Sequence, residues 1–241
     1  MMESDWVSTA GISDLDDAIE LYRPSEVTAA LLMALMQTDN QVAGQHVVEI
    51  GVGSGVVLAF LARLGAASVC GVDVMPAALR LSRAIVEAEG TGISTDFRLG
   101  DVWSKLAGRR FDLVVANPPE FPAEPANLAG RPPHWGIGGP NGRLVLDPLL
   151  RGLADHLTPD GRAVITHNAL VDLDQTRSIL AEDGLGVRVL HTIMMALPQD
   201  KQAMLNHAVA LREAGRNLFH IGPYSFVRMH VIEISARNPL A

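Results

Sequence analysis

Val47-Val48-Glu49-Ile50-Gly51-Val52-Gly53-Ser54-Gly55 decides the fold of this 241-residue chain. A β-branched run ends near an acidic residue, three glycines follow at alternate positions, and a helical pattern opens directly after them. Glycine lets the backbone turn tightly and lets a ligand touch it. Asp73 comes 22 residues after Gly51, at the end of a second apolar run, Val69-Cys70-Gly71-Val72. At that interval an acid meets ribose hydroxyls in doubly wound nucleotide-binding folds. Turn and acid together point to an adenosine-containing ligand.

Outward from this stretch, short apolar runs alternate with amphipathic helical segments, the pattern of a parallel sheet covered on both faces. Strands are expected at His46–Ile50, Ser68–Asp73, Thr95–Leu99, Phe111–Ala116, Gly161–His167, Val187–Met194 and Ser225–Ser235. Helices are expected at Ser25–Met36, Gly55–Leu64, Pro76–Glu89, Arg143–Leu157, Leu170–Glu182 and Asp200–Ala214. The chain reads as one domain over 1–241. It divides into an N-terminal extension and helix (1–40), a cofactor-binding core (41–194), a helical insertion (195–223), and a last strand with its tail (224–241). Within the core, residues 117–142 hold 7 of the 14 prolines and five glycines, so they form a long loop. Loops of that length in compact domains are usually functional or disordered.

Composition narrows the classes. With 48% hydrophobic and 19% charged residues the chain can bury a sizeable core. Its net charge of −8 opposes general adhesion to phosphate backbones, so nucleic acid is disfavoured as a partner. The lone cysteine, Cys70, excludes an internal disulfide and reads as a small buried hydrophobe. No leader or membrane-spanning pattern is present, which implies a cytoplasmic protein without a membrane partner. The eight histidines show no zinc-ligand spacing, and no metal is expected.

The third glycine falls one position earlier than in the Gly-x-Gly-x-x-Gly dinucleotide turn, and Glu49 would repel a pyrophosphate. It could instead hold an ammonium or lie near a sulfonium. Here the chain resembles the class I S-adenosylmethionine-dependent methyltransferases, whose first motif is [Asp/Glu]-x-Gly-x-Gly-x-Gly. The resemblance implies a Rossmann-like, doubly wound, mostly parallel seven-stranded α/β sheet with its last strand antiparallel. It also implies S-adenosyl-L-methionine as cofactor. Glu49, Gly51, Gly53 and Gly55 would cradle the methionine portion, Asp73 would take the ribose with Val74 beside it, and Asp101 and Val102 would meet adenine. The competing reading of Asp101 is a helix N-cap.

Phe111–Ala116 runs into Asn117-Pro118-Pro119-Glu120. This resembles the Asn-Pro-Pro-aromatic signature of methyltransferases acting on planar nitrogens. An amide nitrogen is a poor nucleophile because its lone pair is delocalised. Carbonyls from Asn117 and Pro118, with Pro119 setting the turn, would accept its N–H bonds and return density to it, so catalysis would be positioning and electrostatics. Asn117 would also border the cofactor. Glu120 stands where the family carries Tyr or Phe. Phe121 could supply the stacking surface, while Glu120 could contact the acceptor or act as a base. His134 and Trp135 in the long loop are further candidates for contact with the acceptor.

Tyr22-Arg23-Pro24-Ser25-Glu26-Val27-Thr28 and Gly138-Gly139-Pro140-Asn141-Gly142 resemble segments of the release-factor glutamine N-methyltransferases. The acceptor implied is a planar amide or amine nitrogen of a protein glutamine or a small molecule, with adenine N6 in nucleic acid as the alternative. Outside this class, an NAD(P)-dependent oxidoreductase and a non-catalytic binding module remain as readings. The oligomeric state and the role of the insertion are open at this level.

Overall fold

The computed structural model describes residues 22–37, 42–123 and 136–236. These pack as two units. The first runs to Ala116 and adds His156–Gly161; the second comprises Asn117–Asp155 and the residues from Arg162 onward. The division falls inside the expected core, at the end of its fourth strand.

The first unit contains α1 (Glu26–Gln37), β1 (His46–Ile50), α2 (Val56–Arg63), β2 (Ser68–Asp73), α3 (Pro76–Ala88), β3 (Ser94–Leu99) and β4 (Phe111–Ala116). Its strands lie parallel in the order β3-β2-β1-β4. Successive strands advance from β1 to β3 on one side, and β4 returns to the other side of β1. The strand order therefore reverses between β1 and β4, and open α/β sheets bind ligands beyond the carboxyl ends at such a point. The strands β1, β2 and β4 are almost wholly buried, with Val47, Val48, Leu113 and Val114 at 0% exposure. Pro76 opens α3, where a missing N–H costs nothing. Cys70 is buried as a core residue of β2.

The second unit contains α4 (Leu146–His156), β5 (Leu157–Asn168), α5 (Leu173–Glu182), β6 (Leu185–Leu197), α6 (Gln199–Met204), α7 (His207–Glu213), β7 (Leu218–Ile221) and β8 (Tyr224–Ala236). The last residue of α4 and the first five of β5 belong to the first unit. The last strand, β8, pairs antiparallel with β5, β6 and β7. Eight strands are described where seven were expected. The extra one, β7, lies in the insertion, which is therefore not wholly helical. The single helix expected over Asp200–Ala214 is two. Leu205 takes an extended conformation, and the Asn206 carboxamide accepts the Val209 N–H to start α7 afresh. Met204 and Leu205 are buried, whereas Leu211 is exposed. No described helix is long and apolar enough to cross a membrane.

Candidate functional site

In the first unit, β1 delivers the glycine turn. Gly51, Gly53 and Gly55 all have positive φ, at 76°, 49° and 80°. At Gly55 a Cβ would also collide with Ser82 of α3, so glycine lets the start of α2 dock on that helix. The Ser82 hydroxyl donates to the Gly53 carbonyl at 3.2 Å. The Gly53 N–H points the other way and donates to Asp73 Oδ2 at 3.1 Å, while the Met75 N–H donates to Oδ1 at 2.9 Å. Asp73 thus sits at the start of α3 with backbone donors on both oxygens. Burial raises its pKa, and the amides of Met75, Gly53 and Val74 oppose that rise.

Glu49 is buried on β1 beside Gly71 and Val115. The Leu58 N–H in the first turn of α2 donates to its carboxyl, and Oε2 has no hydrogen-bond partner. Burial holds this carboxyl well above the ordinary range; Leu58 lowers its pKa, and the nearby Asp73 raises it. An acid with an empty oxygen behind a glycine turn calls for a donor, preferably a cation.

Asp101 follows β3 in a turn. Its N–H donates to Ser104 Oγ at 2.9 Å and its carbonyl accepts the Ser104 N–H at 2.9 Å. No helix begins here, so Asp101 is not an N-cap and its side chain is exposed. Val102 has φ 44°, the only non-glycine residue with positive φ among those described. A β-branched residue there is strained, and strain of this kind collects at functional sites. Val74 is 55% exposed and Leu99 38%, two apolar side chains at the ends of paired strands. The sequence reading passed over Leu99. It also gave no individual role to Tyr22, whose ring lies near Gly53 and whose pKa burial and Asp73 raise. Their signals were an apolar residue one place before Gly100-Asp101 and an aromatic in the segment ahead of the core.

In the second unit, Asn117 is half-buried, and its Oδ1 accepts the Thr166 hydroxyl at 2.8 Å. Thr166 is fully buried on β5 and was not singled out in the sequence. Pro118 is buried and Pro119 half-buried. Among the described residues no backbone amide donates to the Pro118 carbonyl.

Glu120 and Phe121 are both buried. Glu120 is 3% exposed and its Oε2 accepts the Asn168 N–H at 2.8 Å. Burial pushes its pKa up to about 8, against the lowering effects of that amide and of Arg143. Phe121 does not offer a free stacking face. It is buried with Leu170, Leu197, Met204, Leu205, Val209, Leu218 and Val227, where apolar area is removed from water. His134 and Trp135 lie outside the described residues.

Residues 25–127 match the family described as methyltransferase small domain. A Methanocaldococcus jannaschii protein named for protein N5-glutamine methylation is 28% identical over 188 residues, 78% of this chain and 91% of that one. The release factor glutamine methyltransferase of Xylella fastidiosa is 30% identical over 75% of this chain, which spans 64% of that enzyme's length. Among solved structures, the Thermus thermophilus 16S rRNA N2 G1207 methyltransferase, in complex with AdoMet and guanosine, superposes with TM-score 0.57 at 20% identity. That match covers 89% of this chain and 44% of the other. By sequence, residues 25–127 match the methyltransferase small domain family, and by fold the chain is similar to the class I methyltransferases.

Proposed function

We propose that the chain binds S-adenosylmethionine and methylates the side-chain amide nitrogen of a protein glutamine. The observation that carries this is the register of β1 against β4, with Ile50 beside Ala116. The glycine turn begins one residue after the first, and Asn117 is one residue after the second.

The residues of the first unit fit the cofactor. The unpaired Oε2 of Glu49 suits an ammonium. Asp73, with about four acceptor sites on its two oxygens, has room for a ribose hydroxyl beside its backbone donors. Gly51, Gly53 and Gly55 present bare backbone, and Val74, Leu99 and the Val102 backbone suit the edge and face of adenine. When bound, S-adenosylmethionine supplies an electrophilic methyl group on a cationic sulfur.

The acceptor nitrogen needs orientation and electron density. Asn117 Oδ1, held on one side by the Thr166 hydroxyl, keeps a second lone pair for an acceptor N–H. The Pro118 carbonyl provides another acceptor. Two N–H bonds held this way fix the nitrogen's plane and return density to it. The relatives' names support a glutamine amide as the acceptor. Incubating the protein with methyl-labelled S-adenosylmethionine and a bacterial release factor tests this. Label on a glutamine side chain, abolished by Asn117→Ala, is expected. Unchanged turnover in that variant contradicts the assignment.

A further inference from the structure

The tetrapeptide Asn117–Glu120 is pinned at both ends to the same short stretch of β5. At one end the Thr166 hydroxyl donates to Asn117 Oδ1 at 2.8 Å. At the other the Asn168 N–H donates to Glu120 Oε2 at 2.8 Å. Between them the chain lies against the Gly138–Gly142 segment, where a Cβ on Gly138 would strike the Pro119 carbonyl and one on Gly142 the Glu120 carbonyl. The insertion extends the support. The Asn206 N–H donates to the Pro122 carbonyl at 2.9 Å, Ala123 bridges to Leu205, and Phe121 packs among Met204, Leu205 and Val209.

Given the glutamine-methylating role proposed above, we infer that Glu120 is a positioning residue, a buried strut that holds the Asn117 and Pro118 carbonyls in place and does not itself touch the acceptor. An aromatic at this position would have to face outward to stack on a flat acceptor, whereas Glu120 faces inward and is almost wholly buried. Its bond to Asn168 needs only an acceptor oxygen, which a glutamine side chain also provides. A carboxyl acting as a base would not be replaceable in that way. The insertion has the matching task of fixing the far end of the loop.

The test compares the full-length protein with Glu120→Ala and Glu120→Gln. Four quantities are read: Asn168 amide exchange, S-adenosylhomocysteine affinity, and kcat and KM with a bacterial release factor as acceptor. In Glu120→Ala, Asn168 exchange should rise and kcat fall by about tenfold or more, because loosening a positioned group by a fraction of an ångström is felt at this scale. Cofactor affinity should not change. Glu120→Gln should restore both protection and kcat to within about twofold.

The strut is overturned if Glu120→Gln keeps Asn168 protected but loses turnover, for Glu120 would then act chemically. It is also overturned if Glu120→Ala leaves Asn168 exchange unaltered. Should Glu120→Ala fail to fold, retention or loss of turnover in Glu120→Gln decides alone. If the unmodified protein transfers nothing to the release factor, the proposed function fails, and the exchange rates still decide the strut.

Discussion

Glu49 and Glu120 are both buried acids with one unpaired oxygen, yet their surroundings set them different tasks. Glu49 lies behind the glycine turn, and its raised pKa means that a bound ammonium would drive off a proton. Affinity for S-adenosylhomocysteine should therefore rise with pH, and calorimetry in buffers of different ionisation enthalpy should detect the release. Glu49→Gln should abolish that dependence; an unchanged slope in the variant would contradict the role. Glu120 instead accepts the Asn168 N–H and lies within electrostatic reach of Arg143. Its folded pKa is raised from 4.5 to about 8, so the folded state keeps a proton that the unfolded chain gives up. Stability must then fall as pH rises between 4.5 and 8, by at most on the order of 5 kcal/mol. Glu120→Gln cannot ionise, so its melting temperature should match the parent near the bottom of that window and exceed it increasingly toward the top. Asp73→Ala should weaken S-adenosylhomocysteine binding by about 100-fold or more in calorimetry, since two charge-assisted hydrogen bonds of about 1.5–3 kcal/mol each are lost.

At the scale of elements, the strands that hold the cofactor side were legible because they are short, β-branched and bounded by glycine or acid. β1, β2 and β4 begin and end where the pattern places them. β7 was not legible. Leu218–Ile221 is only four residues long, runs from buried Leu218 to exposed His220 and Ile221 without alternation, and depends on pairing with β8. The break between α6 and α7 carried a signal, Asn206, which the helical periodicity on either side overrode. The burial of Glu120 was not legible either. A polar residue beside a functional loop suggests solvent, and only the amide of Asn168, 48 positions away, draws Glu120 inward. Thr166 was hidden for the same reason, as a strand residue whose partner lies 49 positions off. Gly55→Ala tests the cofactor-side packing. Positive φ and the clash with Ser82 should together lower stability by about 2 kcal/mol or more in denaturant unfolding. A neutral result would contradict the close approach of α2 to α3.

For the molecule as a whole, cofactor binding should register as stability. S-adenosylhomocysteine at about 100 times its Kd adds about 2.7 kcal/mol, which for a chain of this size raises Tm by about 5–10 °C. Asp73→Ala should lose that shift. The net charge of −8 favours a protein acceptor over nucleic acid. Neither charge nor fold names the methylated atom; in the proposed site Asn117, Pro118 and the groups that brace them would set it. The most direct test is therefore mass spectrometry of acceptor protein after incubation with methyl-deuterated S-adenosylmethionine. The account predicts the label on the side-chain nitrogen of a glutamine and its loss with Asn117→Ala. A label on carbon, on a carboxylate or on a nucleic-acid base would contradict it.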